Sequence, residues 1–154
     1  MSSKILVNEI SGKTTAGKVI FPDRPAFHAY ADDNAYQTTS PIPFDNTNIN
    51  VGSHFNTTNY KFVVPITGNY FISVHVGLIR VNSNGEYLSI ILKKGTDSIQ
   101  QAYQEETSSQ GYGNGTFSGI HAFTAGDELT VQTNGNADYY SSSKYTIFSG
   151  YFIG

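Results

Sequence analysis

Cysteine is absent from the sequence, which excludes disulfide scaffolds, thiolate metal sites and cysteine nucleophiles. Charged residues are also scarce, since they make up 14% of the chain against about 25% in an ordinary domain. The net charge of −3 offers no basic surface to nucleic acid. Every apolar run is far shorter than the ~20 residues that a membrane helix needs. We therefore expect neither nucleic acid nor a membrane as a partner.

Aromatic residues, by contrast, are abundant. The 154 residues form one domain that buries roughly 68–70% of its unfolded surface. Its eleven tyrosines and ten phenylalanines exceed what one small core comfortably holds. Surplus aromatic side chains are typical of buried contacts between subunits. The composition thus indicates a protein that associates with other chains.

The stretch 68–78 predicts the central strand of the fold. Alternate positions in it are apolar, a period of two that only an extended strand reproduces. The face predicted to be buried consists of Tyr70, Ile72, Val74, Val76 and Leu78. Pro65 and Gly68 favour a tight turn before this strand, and so predict a hairpin with the apolar run 60–64.

The remaining chain predicts further short strands separated by glycine and asparagine turns. Asn84-Gly85 favours a hairpin turn, and the prolines of 41–44 restrict that segment to a sheet edge or a crossover between sheets. Residues 99–106 contain helix-forming side chains, but eight residues make a marginal helix and a strand is preferred. We expect an all-β, antiparallel two-sheet sandwich of eight to ten strands.

No residue pattern indicates catalysis or a cofactor. The histidines lie on separate predicted strands without metal-ligand spacing. The paired carboxylates at 32–33 and 127–128 fall in turns, and the sequence shows no calcium loop around them. No serine lies in a recognisable nucleophile motif. We therefore expect no enzyme, no metal and no cofactor.

Seven short segments, taken in order, resemble the C1q-like domain of the C1q/tumour-necrosis-factor jelly-roll superfamily. The resemblance covers residues 25–154, which the sequence assigns to one jelly-roll domain. The segments begin with Pro25-Ala26-Phe27-His28-Ala29 and end with Phe148-Ser149-Gly150-Tyr151-Phe152. Between them lie Pro43-Phe44-Asp45, Tyr60-Lys61-Phe62, Gly68-Asn69-Tyr70-Phe71, Leu88-Ser89-Ile90 with Lys93-Lys94-Gly95, and Ala125-Gly126-Asp127-Glu128-Leu129.

The resemblance implies a homotrimer packed around a threefold axis, without catalytic chemistry. The residues assigned to its core or to its threefold contact are Phe71, His75, Phe148, Tyr151 and Phe152. His75 lies opposite the apolar face of its strand, and at a subunit contact it would make assembly sensitive to pH. The collagen-like stem and the common cysteines of the family are missing from this sequence. The roles of the animal proteins are therefore not carried over.

Residues 1–24 form a separate N-terminal arm. Two apolar patches in the arm are candidates either for docking on another protein or for packing along the edge of their own domain: Ile5, Leu6, Val7, Val19, Ile20 and Phe21. The arm resembles leaders of phage virion proteins, and the N-terminus lacks the apolar core of a signal peptide. We therefore expect a trimer that decorates or cements a phage or viral capsid. Its partner would be the major capsid protein or another virion protein, and it would join the virion in the host cytoplasm.

A receptor-binding or glycan-binding trimer, such as a fibre tip or an adhesin, is the alternative. The polar segment 134–143 combines aromatic rings with hydrogen-bonding side chains, as a sugar site requires. The candidate contacts are Asn136, Asp138, Tyr139 and Tyr140.

Overall fold

A computed structural model describes residues 24–81, 85–105 and 111–154, and every helix or strand within these ranges is a β-strand. The predicted all-β fold is confirmed. The strands are β1 (Ala26–Tyr30), β2 (Ala35–Gln37), β3 (Asn46–Val51), β4 (Phe55–Asn56), β5 (Lys61–Val63), β6 (Gly68–Val81), β7 (Tyr87–Lys94), β8 (Asp97–Glu105), β9 (Gly111–Phe123), β10 (Glu128–Gly135), β11 (Tyr139–Ser141) and β12 (Thr146–Phe152).

Ten of these strands form two antiparallel sheets of five. The first sheet has the order β3-β1-β12-β6-β9 and the second has the order β4-β5-β10-β7-β8. The short strands β2 and β11 pair separately with each other. Most neighbours are not consecutive in sequence, so the chain crosses repeatedly from one sheet to the other, as in a jelly roll. The two-sheet sandwich is as predicted. The strands outnumber the predicted eight to ten because several, such as β4, are only two or three residues long.

The central strand β6 follows the predicted alternation for most of its length. Its residues Tyr70, Ile72, Val74 and Val76 are fully buried. A β-bulge between Val76 and Ile79 then adds a residue, with Leu78 at a φ of +49°. The extra residue exchanges the two faces of the strand. Leu78 is therefore only half-buried, contrary to prediction, and Ile79 is buried instead.

The predicted hairpin between 60–64 and β6 is wrong. Strand β5 pairs with β4 and β10 in the second sheet, whereas β6 belongs to the first sheet. The strands on either side of Asn84-Gly85, β6 and β7, also lie in different sheets. Proline and glycine mark where a chain reverses, but they do not determine which sheet the next strand enters. The preferred strand at 99–106 is confirmed, because β8 includes Ile99 through Glu105.

The core between the sheets is centred on Phe27. Its ring lies 4.4 Å from the ring of Phe62, 4.8 Å from that of Phe148 and 5.2 Å from that of Phe55, measured between centroids. The proline-containing segment 41–44 forms no strand but packs beside these rings, with Phe44 fully buried. This agrees with its prediction as a crossover. Because the core is filled by side chains facing inward from both sheets, the two outer faces remain for contacts with other molecules.

Gly135, at the end of β10, provides a test of this packing. A Cβ atom there would lie 2.2 Å from the carbonyl oxygen of Tyr87, which is backbone and cannot move aside easily. At Gly126 the φ is also positive, but no atom lies within 4 Å of such a Cβ. We expect Gly135→Ala to lower the free energy of unfolding by about 1–3 kcal/mol more than Gly126→Ala. Urea denaturation of the two variants measures this difference, and equal losses would contradict the packing described.

Candidate functional site

Up to the bulge of β6, the outer face of the first sheet carries no charged residue at the positions that its strand register places side by side. One row across the five strands is apolar: Ile120, Phe71, Tyr151, Ala26 and Val51. The next row is Ser118, Ser73, Ser149, His28 and Ile49, and the third is Thr116, His75, Ile147, Tyr30 and Asn46. We call these fifteen positions the uncharged face.

Aromatic and aliphatic side chains of the uncharged face are open to solvent in the single chain. Ile120 is 65% exposed, and Tyr151 is 51% exposed. The Tyr151 ring packs against that of Phe71, with 5.4 Å between centroids. A patch of exposed rings and aliphatic groups without charge is the usual composition of the centre of a protein interface.

The outer face of the second sheet has a different character. Lys61 Nζ lies 2.8 Å from a carboxylate oxygen of Glu128, and Lys93 Nζ donates to the carbonyl of Thr96. A shallow cavity of about 300 Å³ lies here, lined by Pro41, Asn59, Lys61, Gly95, Glu128, Thr130 and Gln132. The charges of Lys61 and Glu128 compensate each other, and the other side chains that line the cavity are neutral. Charges at the surface of this sheet make it the solvated side of the sandwich.

Of the five residues assigned to the core or the threefold contact, three lie on the uncharged face and two lie in or against the core. Phe71, His75 and Tyr151 lie on the uncharged face. Phe148 is fully buried in the core, and Phe152 packs against the core beside Tyr70. The sequence prediction did not include Ile120 or His28, because their neighbours depend on the strand register. The available signal was that both residues occupy alternate strand positions, on the side opposite the buried residues.

Three of the four histidines lie within hydrogen-bond distance of neighbouring polar side chains. His28 Nδ1 lies 2.9 Å from Ser149 Oγ, and His75 Nδ1 lies 2.7 Å from Thr116 Oγ1. His121 Nε2 lies 3.0 Å from the side-chain oxygen of Gln100, and burial lowers the pKa of this imidazole. Within residues 24–81, 85–105 and 111–154, no three metal-binding side chains come together. The same ranges contain no helix able to span a membrane.

The carboxylates of the two acidic pairs have partners either elsewhere in the fold or in their own turn. Asp33 accepts from the Ser141 hydroxyl, and Asp127 accepts from the backbone N–H of Thr124. Glu128 is held by Lys61. Asp32, Asp33 and Asp127 lie between strands, as predicted, whereas Glu128 is the first residue of β10.

The structure places the four predicted glycan contacts in different environments. Tyr139 is fully buried, and its hydroxyl donates to the carbonyl of Thr39, so its ring offers no stacking surface. Burial also raises the pKa of Tyr139. Asn136 is exposed and accepts from the backbone N–H of Tyr87, while Asp138 pairs with Arg80. Tyr140 is half-buried beside Tyr36. The stacking role predicted for Tyr139 is therefore wrong.

The predicted docking residues of the arm lie outside the described residues. Ile5, Leu6, Val7, Val19, Ile20 and Phe21 fall within 1–23, and the structure describes the chain from Arg24 onward. Their role stays a prediction.

Comparison with known proteins gives a consistent family. The model of the C1q domain family matches residues 26–153. Zebrafish (Danio rerio) Caprin-2 is 28% identical over 132 residues, which are 84% of this chain and 14% of that protein. The chain thus spans about a seventh of the length of this curated relative.

Two solved structures share the fold at low identity. Eiger TNF from S. frugiperda superposes with a TM-score of 0.69 at 13% identity, covering 86% of this chain and 94% of that one. The globular domain of zebrafish complement 1qA protein superposes with a TM-score of 0.62 at 15% identity, covering 84% and 98%. At these identities the likeness concerns the fold alone.

Proposed function

The chain belongs to the C1q domain family, and on that premise we propose that it acts as a homotrimeric, non-catalytic module of a larger assembly. The observation that carries the proposal is the uncharged face, where Tyr151 and Ile120 are exposed and Phe71 is half-buried in one copy. Covering this face with another copy removes aromatic and aliphatic surface from water without burying a formal charge.

Three copies are the number that the family resemblance implies. In a closed ring each copy offers one surface to the next copy and a different surface to the previous one. The uncharged face supplies one of these surfaces, and the edge of the first sheet at β9 supplies the other. The hydroxyl groups of the face, such as that of Ser73, can exchange hydrogen bonds across the contact.

More specifically, we propose that the larger assembly is a phage or viral particle. The trimer would decorate or cement the shell, with the apolar patches of the arm docked on the major capsid protein or another virion protein. An extended arm of 22 residues reaches at most about 70–80 Å, which suits a compact domain clipped onto a shell better than a long fibre. Strand-type contacts at an exposed edge are a common way for such a segment to dock.

Deletion of residues 1–22 tests whether the arm is needed for docking on particles but not for trimer formation. We expect the truncated chain to remain trimeric, because the jelly-roll domain is left intact. We expect it to lose at least about 90% of its binding to purified particles, because the apolar patches of the arm are removed. Co-sedimentation with particles measures the loss. The full-length chain carrying Val7→Ser as a single change is the graded control. Undiminished particle binding by the truncated trimer would contradict the docking role, while leaving the trimer itself standing.

A further inference from the structure

Four tyrosine rings form a continuous cluster at one end of the sandwich. Tyr112 pairs with Arg80 in the β6–β9 register, and the guanidinium of Arg80 lies against the Tyr36 ring. The Tyr36 ring meets Tyr140 edge to face, with 5.1 Å between centroids. Tyr140 in turn meets Tyr145 at 6.1 Å. The series joins three separate parts of the chain: β2, the start of β9 and the segment from β11 to β12. We call these four rings the tyrosine cluster.

An ion pair fixes the base of the tyrosine cluster. The guanidinium carbon of Arg80 lies 3.9 Å from the centre of the Tyr36 ring, a cation–π contact. Arg80 Nε lies 3.2 Å from Asp138 Oδ2, and Nη2 donates to the same oxygen. The backbones of the two residues are also hydrogen bonded in both directions. The Tyr36 ring therefore packs against a rigid ion pair that has no net charge.

Part of the tyrosine cluster is open to solvent. Tyr112 is 67% exposed and Tyr145 is 37% exposed, while Tyr36 and Tyr140 are half-buried beneath or beside them. Tyrosine rings provide a large contact area at low conformational cost, and their hydroxyls provide hydrogen bonds at the rim. Arg80 and Tyr112 lie beyond the bulge of β6, while Tyr145 lies two residues before Ile147, so the tyrosine cluster borders the uncharged face.

We propose that the tyrosine cluster binds a neutral glycan. The exposed rings of Tyr112 and Tyr145 stack on the apolar C–H faces of sugar rings. Phenol hydroxyls donate and accept hydrogen bonds with the sugar hydroxyls, and the carboxylate of Asp138 accepts them. The site retains Asp138 and Tyr140 from the sequence prediction. Tyr36, Tyr112 and Tyr145 replace the buried Tyr139 as the aromatic part of the site.

The charge of the cluster favours a neutral sugar over an anion. An acidic sugar or a phosphate needs a cation that is available for a charge-assisted hydrogen bond. Here Nε and Nη2 of Arg80 donate to the carboxylate of Asp138, and the negative charge of that carboxylate repels an anion. A peptide strand added at the edge of β9 would make its contacts through main-chain groups, whereas the exposed groups of this cluster are aromatic side chains. All four rings come from one copy of the chain, so the site is present in the monomer.

Titration of the full chain with neutral oligosaccharides tests the proposal. The probes are chitotetraose, cellotetraose, maltotetraose and lactose, followed by saturation-transfer NMR up to about 10 mM, a range that detects weak single-site binding. We expect saturation transfer from tyrosine ring protons to at least one probe. In Tyr112→Ala we expect its dissociation constant to rise at least about tenfold.

Two further variants make the titration specific. Tyr112→Phe keeps the ring and should bind within about threefold of the unmodified chain. Tyr60→Ala is the matched control. Tyr60 precedes β5, which pairs with the start of β10, whereas Asp138 follows the end of β10. The proposal is overturned if none of the probes binds, if Tyr112→Ala binds as well as Tyr60→Ala does, or if the cluster takes up an unstructured peptide in preference to every sugar.

Discussion

Replacing Tyr151 with aspartate is expected to convert the trimer into monomers. The side chain is half-exposed in the single chain, so a carboxylate there is tolerated by the fold. In the trimer the same carboxylate would be buried opposite uncharged residues. Leaving a charge buried without a partner costs about 3–5 kcal/mol. Since each of the three contacts carries the change, we expect the dissociation constant to rise at least about a hundredfold.

Sedimentation velocity at several protein concentrations measures this shift. Ile66→Asp is the matched control, because Ile66 is also exposed but lies between β5 and β6, outside the uncharged face. The control should sediment as the unmodified chain does. If Tyr151→Asp also sediments unchanged, the uncharged face is not the subunit contact.

Replacing Phe148 with alanine is expected to reduce stability strongly. The ring is fully buried and contacts three others, lying 4.8 Å from Phe27, 5.6 Å from Phe44 and 5.9 Å from Phe55. Deleting a buried phenylalanine removes its transfer free energy and leaves a cavity, which together cost about 3–5 kcal/mol. Phe148→Leu fills most of the space, and we expect it to cost less than about 2 kcal/mol.

These losses are best measured by urea denaturation in the Tyr151→Asp background. Unfolding is then that of a monomer and does not depend on protein concentration. This background also separates the core from the subunit contact, the two places to which Phe148 was assigned. A residue of the contact would change trimer formation and leave the stability of the monomer unaltered. A loss below about 1 kcal/mol for Phe148→Ala would therefore contradict its place in the core.

The buried half of the fold could be predicted from local sequence. Side chains alternate strictly in a strand, so the positions of Tyr70, Ile72, Val74 and Val76 follow from their spacing alone. The strand β8 was predicted for a similar local reason, since its segment is too short for a stable helix. Phe71 was placed opposite the buried face by the same alternation, whereas Tyr151 was assigned only to the core or the threefold contact.

Features that depend on distant partners could not be predicted. The bulge that turns Leu78 outward depends on how β6 pairs with β9. The partner of β5 depends on the crossover of the whole chain, which no residue near Pro65 encodes. Tyr139 lies in a polar stretch, yet β11 pairs with β2 and carries its ring inside. The tyrosine cluster joins Tyr36 to Tyr112, and only the folded chain places them together.

Sedimentation equilibrium of the unmodified chain tests the central claim most directly. The uncharged face predicts a species of three times 16.8 kDa, persisting at micromolar protein concentration. A single species of 16.8 kDa at every concentration would contradict the account, since the exposed rings of the first sheet would then have no partner of their own kind.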